Sequence, residues 1–388
     1  MKQVTIGIAG AGRALGLHME ALKWVHGVQL RYKSVMGRRP EQVEPAREKY
    51  GFEKAVYDYE ELLQDPEIDV IHICTPPYTH EDMTVRALKA GKHVVCEKPF
   101  IGYFDADDDT PAGFVSKAHM YEDVLRRLDE VRELVRSSGK KLMYADNAVY
   151  ASSVMRAADF ITAKKSKILY IKGEESLKGS SSPVSGHWAM TGGGTFSRNG
   201  AHPLAAALWL KQQEAKARGE EITVKSVMAD MDMISPSLTE YEHRHIDARP
   251  VDVEDIGTAV ITFSDNSRAV IMATNIYLGG LKNYLELYCN DATYECRLTT
   301  NNTMSTYFMD EDGIQDMRLS ELLPSKLGWN NAFVADEQLR GYIGEMQDFM
   351  ECVCSGREPM SGVDLAYEAT RVIYAAYLSA EKGSVVYL

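Results

Sequence analysis

The opening residues limit the fold of this chain more than any later stretch. An apolar run over residues 4–9 leads into Gly10-Ala11-Gly12-Arg13-Ala14-Leu15-Gly16, and a helical pattern through Leu17, Ala21, Leu22 and Val25 follows. Strand, glycine turn and helix in that order predict an α/β dinucleotide fold, in which small residues let a pyrophosphate approach a helix N-terminus. The spacing departs from G-x-G-x-x-G, because Leu15 stands in the third glycine's place and Gly16 comes one position late. Gly10, Gly12, Arg13, Ala14 and Leu15 are the candidate pyrophosphate contacts. A glycine pair alone is a weak signal; its place on the first strand of an α/β series gives it weight.

The second strand, residues 29–36, ends in Gly37-Arg38-Arg39-Pro40. An NAD enzyme places an acid there to bond the ribose 2′-hydroxyl. Here Gly37 leaves room and Arg38 and Arg39 offer guanidinium groups to a 2′-phosphate, which favours NADP over NAD. The competing reading is a solvated strand end. Residues 58–65 read as a short acidic helix stopped by Pro66, and 70–74 as a buried strand. In the loop that follows, Thr75 and Pro76 face the cofactor groove, with His80 behind them; a lone histidine there is as readily a cap or a surface residue. A helix over 81–90 closes at Gly91.

Gly91-Lys92-His93-Val94-Val95-Cys96-Glu97-Lys98-Pro99 is a short buried strand that stops in charge. Pro99 ends it, since proline cannot donate to a ladder. An open α/β sheet holds its ligand at the carboxyl ends of its strands. A lysine at such a place can tune its charge by desolvation and hydrogen-bond a reacting oxygen. Read alone, Glu97 and Lys98 are equally well strand-end surface charges.

The ordered run from Ile73-Cys74-Thr75-Pro76-Pro77-Tyr78-Thr79-His80 through Ala87-Leu88-Lys89-Ala90-Gly91 to Glu97-Lys98-Pro99 resembles the Gfo/Idh/MocA family, named for glucose-fructose oxidoreductase, inositol dehydrogenase and a rhizopine catabolism protein. The resemblance implies an N-terminal Rossmann doubly wound parallel sheet and a C-terminal α/β domain with a large, mostly antiparallel open-faced sheet. It implies NAD(P)-dependent hydride transfer at a secondary carbinol of a sugar, glycoside or cyclitol. It makes Lys98 an active-site lysine, Glu97 a cofactor neighbour and Lys98–Pro99 often cis.

Residues 103–119 are a stretch that family usually lacks, crowded with Asp105, Asp107, Asp108 and Asp109. Charge that dense favours a solvated loop over a metal site. An amphipathic helix over 121–138 and a strand over 141–145 follow, and Rossmann order brings Asn147 close to the nicotinamide. At the junction the family often has an arginine where Val149 stands, so a substrate contact is missing beside Tyr150. Trp188, among glycines and serines, suggests a sugar pocket in which an aromatic face covers ring C–H groups. Gly192-Gly193-Gly194-Thr195-Phe196-Ser197-Arg198-Asn199-Gly200-Ala201-His202 resembles the family's second active-site motif. By that resemblance His202 takes the hydroxyl proton and Asn199 contacts substrate. Arg198 replaces the usual aspartate, so the cation instead binds an acidic or strongly polar substrate. The competing reading makes His202 a helix cap.

With 388 residues the chain divides into a domain over 1–146 and a substrate-binding and oligomerisation domain over 147–388, whose closing helix at 362–383 packs back on the first. Strands recur at 222–228, 258–263, 269–276, 284–288, 292–298 and 303–308, with a hairpin turn at Asp265-Asn266-Ser267. An uncovered face of such a sheet is the physical case for a homo-oligomer: dimer, tetramer or hexamer. The net charge of −13 argues against nucleic acid or an anionic membrane as main partner. Six scattered cysteines without zinc-site spacing, and no leader-like or membrane-length apolar run, indicate a cytoplasmic protein without a metal; His243 and His245 lack a third ligand. Two rivals use the same fold. One is redox-neutral glycoside cleavage, in which transient oxidation at C3 acidifies the neighbouring C–H. The other is a non-catalytic nucleotide and sugar sensor.

Overall fold

The computed structural model describes residues 2–105, 110–299, 305–308, 328–331 and 340–388. Asp107, Asp108 and Asp109 of the acidic stretch, and residues 303–304 of an expected strand, lie outside the described residues. The chain forms two compact units: Met1–Tyr103 with Glu122–Asn147 and Gly341–Arg371, and Phe104–Tyr121 with Ala148–Arg340 and Val372–Leu388.

The first unit is built on a six-stranded parallel sheet. Its strands are β1 (Lys2–Ala9), β2 (Val28–Met36), β3 (Lys54–Val56), β4 (Val70–Ile73), β5 (His93–Glu97) and β6 (Leu142–Ala145), in the order β3-β2-β1-β4-β5-β6. That is the Rossmann order. Val4, Ile6, Ile8, Val70, Ile71, Ile73, Val94 and Val95 are buried, as strands covered on both faces require. Each such side chain contributes roughly 1.5–3 kcal/mol of burial. The connecting helices include α1 (Arg13–Leu22), α2 (Pro40–Tyr50), α3 (Tyr59–Gln64) and α4 (His80–Lys89). A capping box between Asp58 and Glu61 starts α3. The amphipathic helix expected at 121–138 begins earlier, as α5 (Lys117–Ser138).

The second unit holds a seven-stranded sheet. After α6 (Ser152–Lys164) come β7 (Ile168–Ser176), a single helical turn α7 (Trp188–Thr191), α8 (Ala201–Arg218), β8 (Val224–Asp232), β9 (Ile256–Phe263), β10 (Arg268–Thr274), β11 (Lys282–Cys289) and β12 (Thr293–Arg297). A separate pair, β13 (Ser305–Phe308) and β14 (Gly328–Asn331), precedes the edge strand β15 (Val386–Tyr387). The order is β12-β11-β7-β10-β9-β8-β15, antiparallel except where β10 runs parallel to β7. In β9, Gly257, Ala259, Ile261 and Phe263 are buried while Ile256, Thr258, Val260 and Thr262 are half-buried, so the two faces of the sheet are unequal. Asn266 takes the left-handed conformation the β9–β10 turn needs, at φ 65°.

Helix α8 lies against β7, β10 and β11, and every residue from Ala201 to Lys211 is buried. A helix apolar all round is a core helix. Lys211 survives there because its Nζ donates to Glu214 (2.5 Å), Asp265 (3.1 Å) and the Ile168 carbonyl (3.3 Å). Removing the cation leaves Glu214 buried without its counter-charge. Lys211→Met is therefore expected to destabilise the protein by about 3–5 kcal/mol. A urea midpoint at or above that of the wild type would contradict this.

Candidate active site

In the first unit the site begins where β1 ends. Gly10 takes φ +107°, and a Cβ there would meet the Cys74 carbonyl oxygen at 2.4 Å. The strand end is pinned by Gly10 N–H to Met36 O (2.8 Å) and Cys74 N–H to Ala9 O (2.7 Å). Gly12 precedes α1 without a side-chain cap, and a Cβ there would meet nothing within 4 Å. The first amides of α1 thus open on uncluttered space, which fits an anionic pyrophosphate. Arg13 is exposed, Ala14 half-buried and Leu15 buried, so at position 15 only the backbone faces a phosphate. Arg38 and Arg39 are exposed after β2 and make no ion pair among the described residues.

The loop after β4 is tied down by its own side chains. Thr75 Oγ1 lies 2.6 Å from Thr79 Oγ1. His80 is fully buried, with Nδ1 2.8 Å from Pro99 O and Nε2 2.9 Å from Thr75 O. Its ring clamps one strand-end loop to the next instead of facing a ligand. The Lys98–Pro99 peptide is cis, and Glu97 and Lys98 are half-buried at the end of β5. Glu97 Oε1 lies 3.0 Å from His18 Nε2, and Oε2 accepts the Lys98 backbone N–H at 3.2 Å. Burial raises the Glu97 pKa, but His18, Lys98 and His80 together bring it below the ordinary carboxylate value. Asn147, at the end of β6, is buried.

The second unit carries the other candidates. His202 is buried in the first turn of α8, with Pro203 after it. Before it, Phe196–Gly200 forms a π-helical turn, a wide turn frequent at functional sites. Asn199 Nδ2 donates to Thr195 Oγ1 and Asn275 Oδ1, both at 3.1 Å. Arg198 donates to Ser185 O at 3.4 Å; burial lowers its pKa, while Glu254 and Tyr377 raise it. Tyr150 is buried. Trp188 is also buried, with Lys117 Nζ 4.6 Å over its ring and the Tyr377 ring at 4.7 Å. The aromatic surface expected to cover a sugar therefore already carries a lysine and a tyrosine of this chain.

The residues that sequence reasoning missed are the ones bracing this motif. Glu254 Oε1 accepts Phe196 N–H (2.8 Å) and the Tyr377 hydroxyl (2.9 Å), and its Oε2 accepts Gly194 N–H (2.8 Å). Tyr374 donates to Gly192 O at 2.9 Å. A Cβ on Gly193 would meet Tyr377 Oη at 2.3 Å, and one on Gly194 would meet Glu254 O at 2.0 Å. The glycine triplet was a usable sign of close backbone approach; nothing in the sequence said to what. Asp252 similarly accepts Gly113 N–H (2.9 Å) and Trp188 N–H (2.7 Å), tying the stretch at 110–121 to this unit. Phe114, Lys117, Trp188, Met231, Glu254 and Tyr377 line a cavity of about 320 Å³. No group of three or more metal-binding side chains occurs among the described residues.

Residues 4–107 match the GFO_IDH_MocA model, described as an oxidoreductase family with an NAD-binding Rossmann fold. Myo-inositol 2-dehydrogenase of Thermotoga maritima is 37% identical over 94 residues, 24% of this chain and 28% of that protein. Levoglucosan dehydrogenase of Pseudarthrobacter phenanthrenivorans is 31% identical over 105 residues, 26% of this chain and 27% of that protein. Both alignments span less than a third of the relative's length. Among solved structures, GenD2 from gentamicin A biosynthesis in complex with NAD superposes with a TM-score of 0.80 at 19% identity, covering 100% of this chain and 97% of that one. Levoglucosan dehydrogenase in complex with NADH and levoglucosan gives 0.73 at 19% identity, covering 100% and 99%. At that identity the likeness is one of fold.

Burial pushes the Glu254 carboxyl up to about 7, against the pull of its three donors. A carboxyl raised in the folded state favours the fold most below its unfolded pKa, and that advantage is lost as pH rises through 7. Relative to Glu254→Gln, the wild type is expected to lose about 3 kcal/mol between pH 5 and pH 8, at 1.36 kcal/mol per unit of pKa. Urea midpoints of the two proteins that run parallel across that range would refute the assignment.

Proposed function

We infer, from a chain whose residues 4–107 belong to the Gfo/Idh/MocA oxidoreductase family, that it transfers a hydride between nicotinamide and a secondary carbinol of a sugar, glycoside or cyclitol. The observation that carries the reading is Lys98, half-buried beside Glu97 at the same sheet edge as the open turn at Gly10 and Gly12. Residues 10–15 would hold the pyrophosphate of the cofactor. Thr75, Pro76 and Asn147 line the nicotinamide side, and His80 and Glu97 hold the strand ends beneath it. When bound, the nicotinamide takes up the hydride leaving the carbinol carbon. Lys98 hydrogen-bonds the carbinol oxygen and steadies the charge that develops there. His202 accepts the hydroxyl proton as the carbonyl forms. Tyr150, Arg198 and Asn199 are the further substrate residues. The relatives that act on myo-inositol and levoglucosan support the substrate class. NADP is the preferred cofactor, because exposed Arg38 and Arg39 offer guanidinium groups where an acid would select NAD. The half-buried outer face of the second sheet favours a homo-oligomer.

Lys98→Met is expected to lower turnover of a reactive carbinol by about 10²- to 10⁴-fold while leaving cofactor affinity little changed. A screen of sugars, glycosides and inositols, followed by nicotinamide absorbance, supplies the assay. Near-normal turnover in that variant would remove the central role of Lys98. Replacing Arg38 and Arg39 together by alanine is expected to weaken NADP about tenfold or more and to spare NAD, from the loss of charge-assisted hydrogen bonds. Equal effects on the two cofactors would overturn the preference.

A further inference from the structure

Behind Glu97 runs a buried line of imidazoles contributed by two other elements. His18 comes from α1 and His72 from β4, and neither is exposed at all. His18 Nε2 lies 3.0 Å from Glu97 Oε1, and its Nδ1 lies 3.0 Å from His72 Nδ1. The rings meet edge to face, with centroids 5.3 Å apart at 68°. Cys74 Sγ lies 3.5 Å from the same His18 Nδ1. The line stops at His72 Nε2, which is buried and has no hydrogen-bond partner among the described residues.

With His72 held neutral by its burial, proton counting along this line leaves three arrangements. In the first, His72 carries its proton on Nδ1 and donates to His18 Nδ1, while His18 donates from Nε2 to an ionised Glu97. What stays unpaired is a lone pair on His72 Nε2. In the second, His18 is an imidazolium and donates from both nitrogens, so His72 must accept on Nδ1 and carry its own proton on Nε2. In the third, a protonated Glu97 donates to His18 Nε2 and the whole line reverses, which again puts a proton on His72 Nε2. Both alternatives strand an N–H in the interior, and buried orphan N–H groups are rarer than under-used acceptors. The Cys74 contact agrees with the first arrangement. Burial holds that sulfur as a thiol, so it faces His18 Nδ1 as a second, weak donor.

The charges around Glu97 fit the same order. Lys98 and His80 favour its anion. Glu345, on the helix Tyr342–Ser355, is held far above the ordinary carboxyl range by burial and by Glu97, Asp146 and Asp348. It is the neutral acid of the cluster, and Cys74 and Cys96 are neutral thiols raised by burial. Environments that push neighbouring titratable groups apart assign their roles.

We propose that His18 and His72 form a tautomer-locked pair that holds Glu97 as an anion beside Lys98, making His18 a positioning residue of the oxidoreductase site. The proton order stands on the geometry alone; the consequence for turnover rests on the function proposed above. With His18→Leu, Glu97 loses its donor in a buried place and becomes neutral. Lys98 then loses a counter-charge, and its ammonium gives up its proton at lower pH.

Two measurements test this. The high-pH limb of turnover is expected to move down by about one unit or more in His18→Leu, the size of shift a neighbouring opposite charge produces. It is expected to return in His18→Gln, whose amide nitrogen reaches the position of Nε2. A His18→Leu profile that superimposes on the wild type would overturn the proposal. Nitrogen-15 spectra of histidine-labelled wild type give a readout that needs neither turnover nor a folded variant. The expected result is His72 protonated on Nδ1 and His18 on Nε2; a His72 proton on Nε2 refutes the pair. Should no carbinol be turned over by the wild type, the proposed function falls, and the spectra still decide the proton order.

Discussion

A strand buried on both faces has room for chemistry only at its end. β1, β4 and β5 are such strands, filled mainly with valine, isoleucine and cysteine side chains, with Thr5 and His72 as the buried polar exceptions along their length. The polar work of the first unit is therefore compressed into the residues just past each strand: Gly10 and Gly12, Thr75 and Pro76, Glu97 and Lys98. That edge is rigid because its loops are bonded to one another. Cys74 N–H reaches back to Ala9, Gly10 N–H reaches Met36, and His80 spans Thr75 and Pro99. A cofactor site built from loop backbone needs this, since a loop free to move would give up its alignment with a bound phosphate.

The second unit solves a comparable problem with a buried acid. A run of three glycines can come close to other backbone, and it has no side chains of its own to fix where it goes. Glu254 fixes it, by taking the Gly194 and Phe196 N–H groups on its two oxygens, and Tyr377 and Tyr374 close the remaining sides. The helix that starts with His202 then runs into a core in which even its lysine is paired. A carboxylate so deeply placed is costly unless each oxygen is bonded: burial raises its pKa, and its three donors pull it part of the way back.

Much of the first unit was legible in the sequence. The glycine turn, the C′ glycine at Gly91 and the buried strands are local signals, and the observed elements begin and end within a few residues of them. α5 starts at Lys117, ahead of the expected 121, and in the second unit β8 runs on to Asp232. In the second unit the alternation of β9 and β10 and the turn at Asn266 were equally local. Trp188 was read from its glycine and serine neighbours as an open platform, and packing put Lys117 on its ring instead.

By itself, the sequence determined where the strands, turns and helices lie and which strand ends carry charge, because periodicity, glycine and proline act within a few residues of themselves. Tertiary structure alone decided which groups those charges meet. His18 and His72 are 54 positions apart, His18 and Glu97 are 79, and Glu254 reaches residues 58 before it and 123 after it. No local pattern encodes such pairs. They arise because buried polar atoms must find partners wherever the packed sheets bring one within hydrogen-bonding distance.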